Sequence, residues 1–425
     1  MIDSGWLYYT LKNYDKAKDI YRKALILSTN LGNKAILGKL YYNISTLHYI
    51  LDEFEESEYY GKKVIEIGSE YKNDYYLMAG YNMLAIIYQK RRDYKTALEY
   101  YRKGLDIIEK TEDIQRRLNI LTNIIRIHFY IGNIEKSIEI YNNAIIISKK
   151  IGDNYRIALL YNLYGNVLYR KGEWEQAIKY YNMSGKISLG NKEYIIYLES
   201  LLNISYIYLY QGKRDSLYEL IKKAQEAVNN IKDKKEKIPL IFMKGLISYI
   251  DCKFEIAYSY FREVSDKSGK NDKIEMNISS LIYESECLLH LYRNDDALNS
   301  IEKANELMNK YALFHYRVEC EYVKLLINKN KISDNILKSN LNDLLNRTRE
   351  NHKFLYARIL IQLSDIYSNE ISTVNGQDKI LKSISLLKEA RLIFKNMEAI
   401  KYLLDIDNKL LQSYERLKDL LSFSA

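Results

Sequence analysis

The chain has 425 residues and a net charge of +9, which is small for this length and spread along the sequence, so the composition does not indicate a nucleic-acid-binding surface. Its three cysteines lack CxxC spacing and therefore indicate a reducing compartment rather than a disulfide framework or a zinc site. The sequence contains no targeting segment and no run of eighteen apolar residues, so we expect a soluble, cytoplasmic protein that binds no membrane.

From the first predicted helix to residue 304, a small residue followed four places later by a bulky one returns every forty positions. A second column of small residues lies twelve positions earlier, where we expect a partner helix to cross closely. Because offsets of three, four and seven residues lie on one helical face, each unit is predicted to be a pair of helices. The two columns comprise Ala17, Ser57, Ala97, Ser137, Ala177, Ala257 and Ala297, with Leu217 as an exception, and Gly5, Ser45, Ala85, Gly165, Ser205, Gly245 and Ser285, with Ile125 as an exception.

The segments Leu7–Ala17 and Tyr164–Ala177 show this pattern most clearly. In these residues the chain resembles the tetratricopeptide repeats, in their longer form of about forty residues. The resemblance implies an all-α fold, a right-handed α-solenoid (superhelix) of about ten helix pairs plus a C-terminal helix. The family's helix-ending proline is missing, since Pro239 is the only proline and fits the first turn of a helix. We expect glycine and asparagine to end the helices instead.

In chain order, residues 1–312 are predicted to form eight repeats, of which the first is truncated because Gly5 already occupies a mid-helix position. Residues 313–396 are predicted to form two diverged helical repeats, and residues 397–425 a last helix. Three leucines at seven-residue spacing mark this helix, namely Leu403, Leu410 and Leu417. It either caps the array or continues as a coiled coil. The chain begins at an internal start or is a piece of a longer protein.

The sequence contains no phosphate-binding, metalloprotease, serine-hydrolase or dinucleotide-binding motif. His48 and His128 occupy the same repeat position two units apart, so at the spacing of packed helices, about 8–10 Å per layer, they are too distant to share a metal. We therefore predict that the chain is not an enzyme and has no catalytic residue, cofactor or metal.

The resemblance implies that the first helices of the pairs line a concave inner face, where a partner binds. Asparagines recur there, and an asparagine both donates to and accepts from a peptide bond, so a ladder of them holds an extended backbone. The predicted ladder comprises Asn43, Asn82, Asn123, Asn162, Asn166 and Asn203, and the residues expected beside it are Lys90, Arg126, Arg170, Tyr49, Phe129, Tyr169 and Tyr206. Two alternatives remain open: asparagine is abundant throughout the chain, and some of these aromatic residues pack between repeats.

Three functions are compatible with this surface. The chain is a scaffold that binds a protein or an extended peptide segment, or the sensor region of a larger bacterial regulator whose covalently attached effector is a cyclase, kinase or ATPase module. The third function is a receptor for a signalling peptide, although that class normally carries an N-terminal helical effector domain, which we do not find in this sequence. In each case we expect a protein or peptide partner and no nucleic acid.

Overall fold

The computed structural model describes residues 1–32, 34–111, 113–232, 237–268, 273–311, 313, 316–350, 352–370 and 375–423. These residues form twenty-one α-helices and no β-strand, which confirms the predicted all-α fold. The helices are α1 (Ile2–Thr10), α2 (Tyr14–Asn30), α3 (Lys34–Ile50), α4 (Phe54–Glu70), α5 (Asp74–Lys90), α6 (Tyr94–Thr111), α7 (Ile114–Tyr130), α8 (Ile134–Ile151), α9 (Asn154–Lys171), α10 (Trp174–Gly190), α11 (Tyr194–Gln211), α12 (Arg214–Val228), α13 (Ile238–Ile250), α14 (Phe254–Lys267), α15 (Ile274–His290), α16 (Asn294–Lys310), α17 (Arg317–Asn328), α18 (Asp334–Thr348), α19 (Lys353–Asn369), α20 (Gly376–Asn396) and α21 (Ile400–Phe423).

Most helices in the first three hundred residues end at a residue in the left-handed conformation, and these residues recur every twenty positions. Among the described residues, glycine holds this position at Gly32, Gly132, Gly152, Gly172 and Gly212, whereas Lys12, Asp52, Lys72, Arg92, Lys192, Cys252 and Tyr292 hold it elsewhere. The next residue donates its N–H to the carbonyl five positions earlier, as Asn13 does to Tyr8 at 2.9 Å. The prediction that glycine and asparagine end the helices is therefore only partly right. Pro239 lies in the first turn of α13, as predicted.

The chain divides into two compact units. Unit 1 comprises Met1–Phe129 and Glu135–Ile147, and unit 2 comprises Tyr130–Ile134 and Ser148–Ala425. Each unit is described by itself below. The repeat boundaries at residues 312 and 396 stay predictions.

In unit 1 each helix from α1 to α6 packs against the next. The two columns of small residues meet as predicted. Ser45 Oγ donates to the Ser57 carbonyl at 2.7 Å, and Ser57 Oγ donates to the Ser45 carbonyl at 2.8 Å, both in buried positions. A Cβ at Gly5 would lie 2.4 Å from the ring of Tyr21, so only glycine fits this crossing without a shift.

Unit 2 repeats this packing and adds contacts between distant helices. A Cβ at Gly165 would lie 2.5 Å from the ring of Tyr181, and one at Gly245 would lie 2.6 Å from the ring of Phe261. In addition, α19 contacts α9 and α21 contacts α11. The last repeats of unit 2 thus turn back onto its first repeats.

The last helix packs one apolar stripe against the core of unit 2. Leu410 is buried, and Leu403 and Leu417 are half-buried against the core of this unit. The side chain of Lys409 forms an ion pair with Asp365 of α19 at 2.6 Å. Within the described residues, the predicted leucine spacing therefore marks the face that packs inward.

Candidate functional site

The asparagines predicted for unit 1 lie on α3, α5 and α7. Asn43 is buried, and Asn82 and Asn123 are half-buried. The Oδ1 atom of Asn82 is itself buried and accepts no hydrogen bond from any residue that the structure describes. Most buried polar groups in proteins have a partner, so this oxygen marks a position to explain.

Asn82 opens onto a cavity of about 130 Å³ in unit 1. Its wall consists of Tyr42, Tyr75, Met78, Ala79, Asn82, Arg116, Asn119 and Ile120. This volume has room for about four water molecules, at roughly 30 Å³ each. The wall combines aromatic rings, apolar side chains, amide groups and one guanidinium.

Arg116 is positioned by the residue that immediately precedes α7. Asp113 accepts hydrogen bonds from the Arg116 backbone N–H at 3.0 Å and from its guanidinium at 2.9 Å. The guanidinium carbon lies 4.6 Å from the ring centroid of Tyr75, within the range of a cation–π contact. Burial raises the pKa of Tyr42, which also lines the cavity, so this hydroxyl stays protonated.

The other residues predicted beside the unit 1 ladder are less accessible. Phe129 is buried, and Tyr49 is half-buried against a small core, with its ring 6.2 Å from that of Phe54. Lys90 and Arg126 are half-buried. The alternative that some aromatic residues pack between repeats therefore fits Tyr49 and Phe129.

In unit 2 the predicted asparagines bind one another. Asn203 Nδ2 donates to Asn162 Oδ1 at 2.8 Å and to Asn166 Oδ1 at 3.2 Å. Asn166 Oδ1 also accepts from the Tyr181 hydroxyl at 2.8 Å. These three side chains form a network whose acceptors Asn162 and Asn166 already have donors.

The predicted aromatic residues of unit 2 pack into its core. Tyr169 stacks on Trp174 with ring centroids 6.1 Å apart, and Tyr206 contacts Phe242 at 5.6 Å. Burial raises the pKa of both tyrosines. Burial also lowers the pKa of the Arg170 guanidinium, against the effect of the Glu319 carboxylate. All three side chains are half-buried, and the two tyrosines pack against the core of unit 2.

The chain's own C-terminal repeats cover this part of unit 2. Gln211 Nε2 donates to the Met397 carbonyl at 3.0 Å, and Lys213 forms an ion pair with Glu398 at 2.8 Å. The ring of Phe354 lies 4.0 Å from that of Tyr210 and 5.5 Å from that of Trp174. Repeat periodicity carries no signal for these contacts, because they join residues separated by several repeats of the chain.

Unit 2 also contains a buried ion pair that the sequence does not predict. Glu286 Oε1 accepts from the Arg358 guanidinium at 3.1 Å, and its Oε2 accepts from the Tyr249 hydroxyl at 3.1 Å. The guanidinium lies 4.9 Å from the ring centroid of Tyr322. Burial lowers the pKa of Arg358, but the Glu286 carboxylate and nearby tyrosines outweigh this effect and raise it. The ion pair joins α15 to α19. No sequence motif marks such a pair.

The described part of the chain shows neither a candidate metal site nor a candidate membrane-spanning helix. It contains no group of three or more histidine, cysteine, aspartate or glutamate side chains placed to hold a metal. Over the same residues, no helix combines the length and the apolar character that crossing a bilayer requires.

Residues 36–110 and 116–187 match a family model described as tetratricopeptide repeat, and residues 2–30 match a second model with the same description. These matches cover the first part of the region with columns of small residues, which continue to residue 304. The helix pairs, their close crossings and these matches define a helical-repeat protein. Residues 2–30, 36–110 and 116–187 are thus tetratricopeptide repeats.

Curated relatives are distant. The regulatory protein RapK of Bacillus subtilis is 24% identical over 274 residues, which are 62% of this chain and 70% of RapK. The TPR repeat-containing protein MJ1428 of Methanocaldococcus jannaschii is 24% identical over 327 residues, which are 73% of this chain and 52% of that protein. The chain thus spans about half the length of MJ1428.

Solved structures share the fold. A Rap conjugation gene regulator of the plasmid pLS20, in complex with a peptide, has a TM-score of 0.54 at 14% identity and covers 85% of this chain and 97% of its own. The human IFIT1 dimer with m7Gppp-AAAA has a TM-score of 0.50 at 13% identity and covers 98% of this chain and 88% of its own. At these identities the likeness concerns the α-solenoid fold alone.

Proposed function

We propose that this chain is a non-enzymatic receptor that holds an extended peptide or protein segment along the first helices of unit 1. The observation that carries the proposal is the buried, unpartnered Oδ1 of Asn82 in a polar cavity. A buried acceptor without a donor costs about 1–3 kcal/mol. A peptide N–H that enters the cavity removes this penalty.

The spacing of the unit 1 asparagines suits an extended backbone. Asn43 lies on α3 and Asn82 on α5, and these two helices are in contact. Packed helices lie about 8–10 Å apart, and an extended chain rises about 3.3 Å per residue. One asparagine therefore contacts the ligand about every three ligand residues. The asparagines recognise the ligand backbone, and the ligand side chains between these contacts remain free to determine specificity.

Arg116 selects for an acceptor on the ligand. Its guanidinium has five N–H donors, and the hydrogen bond to Asp113 uses one of them within the described residues. The contact with Tyr75 fixes the plane of the group. A ligand carbonyl or acidic side chain beside the residue that binds Asn82 fits this arrangement.

This site is narrower than the ladder over repeats two to six that the sequence predicts. It keeps Asn43, Asn82 and Asn123 and leaves out Asn162, Asn166 and Asn203, because the latter three already bond to one another. Among the three functions left open by the sequence, a peptide receptor is favoured by the relatives, since the Rap regulator of similar fold was solved with a peptide and RapK is a regulatory protein.

The test uses peptides selected from a random phage-displayed library on the full chain, with fluorescence anisotropy of a labelled selected peptide as the measurement. We expect Asn82→Ala to lose about 0.5–1.5 kcal/mol of binding, which is roughly a two- to tenfold rise in Kd. The control is Asn340→Ala, since Asn340 is exposed on α18. If Asn82→Ala binds as tightly as wild type while Asn340→Ala does too, the unit 1 site is wrong.

The same protein tests the proposed lack of nucleic-acid binding. Many basic side chains are already paired, as Lys18 is with Glu53 at 2.9 Å and Arg347 is with Glu321 at 2.6 Å, which leaves less free positive charge for phosphates. We expect a labelled oligo(A), capped or uncapped, to show no salt-dependent binding. Binding that decreases steeply as salt rises would contradict this part of the proposal.

A further inference from the structure

The last helix carries a second, exposed apolar stripe beside the one that packs against the core of unit 2. Leu404 is 68% exposed, Leu411 is 60%, Tyr414 is 44% and Leu421 is 47% exposed. These residues follow the spacing of three and four that places side chains along one side of a helix. This stripe is separate from Leu403, Leu410 and Leu417, which pack inward.

Two opposite charges complete the stripe. Lys418 lies seven residues after Leu411, which lies seven residues after Leu404. Asp407 lies seven residues before Tyr414, which lies seven residues before Leu421. Lys418 is exposed and forms no ion pair with a described residue. Asp407 is paired on one side with Arg391 at 2.5 Å, and both of these side chains remain about half exposed.

We propose that α21 pairs with α21 of a second copy of this chain, antiparallel and about a two-fold axis between residues 412 and 413. In this register each position of the stripe meets a complementary one. Leu404 faces the second copy's Leu421, Leu411 faces its Tyr414, and Asp407 faces its Lys418. The axis repeats each pair, as the self-complementary interface of a two-fold dimer requires.

Charge selects this arrangement over the parallel one. In a parallel, in-register pair, Asp407 would face a second Asp407 and Lys418 a second Lys418, and like charges in an apolar interface are strongly unfavourable. In the antiparallel pair both charged layers unite opposite charges. The four exposed apolar side chains of each copy are removed from water at the same time.

The experiment measures the mass of the full chain by sedimentation velocity at about 100 μM, where an association with a Kd of roughly 10 μM is mostly complete. We expect a dimer for wild type. Lys418→Asp and Asp407→Lys should each raise the Kd by about tenfold or more, because each places like charges in two layers. Mixing the two variants should restore association, since both charged layers of the mixed pair then unite opposite charges.

Matched controls separate this interface from general effects of charge. Asp405→Lys makes the same change as Asp407→Lys at an exposed position outside the stripe, and we expect it to leave the dimer unchanged. Leu411→Asp should give a monomer with the helix content of wild type, because Leu411 does not contribute to the core. A monomeric wild type, a dimer that survives Leu411→Asp, or a mixture of the two charge variants that stays monomeric would each overturn the proposal.

Discussion

The asparagines predicted for the two units follow the same repeat pattern but lie in different surroundings. In unit 1, Asn82 faces a cavity with an unpartnered oxygen. In unit 2, Asn162 and Asn203 bind each other, and the last repeats of the chain pack over the first helices. The difference teaches that repeat position alone does not define a ligand-binding residue. A residue at that position can bind a ligand only where no other part of the chain already covers it.

The largest effect is expected where unit 2 closes on itself. Phe354 is buried and its ring contacts those of Trp174, Tyr210 and Phe394, so Phe354→Ala should lower the free energy of unfolding by about 3–5 kcal/mol. Tyr75→Ala in unit 1 is the comparison, because Tyr75 is 52% exposed and should change stability by less than about 1 kcal/mol. Urea unfolding followed by circular dichroism measures both. Equal losses would mean that the inner faces are equally filled.

The crossings between paired helices should respond alike in both units. Ala97 in unit 1 and Ala177 in unit 2 are fully buried at the same repeat position. Ala97→Phe and Ala177→Phe should each overpack the crossing and cost roughly 1–3 kcal/mol in the same unfolding assay. A large difference between the two variants would contradict the shared architecture on which the comparison of inner faces depends.

We expect acid to lower the stability of unit 1 through a histidine whose repeat position holds other residue types in unit 2. His128 holds a column occupied in unit 2 by Leu168, Tyr208 and Leu288. Burial lowers its pKa, and Nδ1 is buried without a partner among the described residues. Because the folded pKa lies below the unfolded value of about 6.5, this contribution to stability is present above that pH and is lost as the pH falls.

Replacing His128 with phenylalanine removes the titratable imidazole. We expect His128→Phe to reduce the loss of stability between pH 7 and pH 5, with hydrogen exchange of α7 as the local readout. This is the smallest of the three effects, since only one imidazole is involved. If the protection factors of α7, corrected for the intrinsic exchange rate, are equal at both values of pH in wild type, His128 does not titrate as expected.

Most of the fold could be predicted from the sequence, because small residues at fixed spacing are needed wherever two helices cross closely. Gly5, Gly165 and Gly245 each face a ring that leaves no space for a Cβ, and each lies in the predicted column. The helix ends were predicted less well, since Lys12 and Tyr292 adopt a conformation that glycine favours. Hydrogen bonds of the helix end hold the backbone there whichever side chain is present.

The candidate site could be predicted only in part. The sequence identified Asn82 and Asn162 as equivalent, and only the structure distinguishes an unpartnered oxygen from one that accepts from Asn203. The closure of unit 2 depends on contacts such as that of Gln211 with Met397, which join distant repeats. A periodic pattern describes neighbours, so it contains no information on such contacts. Arg116 was not predicted because it lies at the start of α7, outside the asparagine column.

Hydrogen exchange with and without a selected peptide tests the central claim most directly, namely that unit 1 holds the ligand while unit 2 is covered by its own chain. We predict that the peptide slows exchange in α5 (Asp74–Lys90) and the first turns of α7 (Ile114–Tyr130), around Asn82 and Arg116. Exchange in α9 (Asn154–Lys171) and α11 (Tyr194–Gln211) should not change. Protection of α9 and α11 with none in α5 would contradict the account.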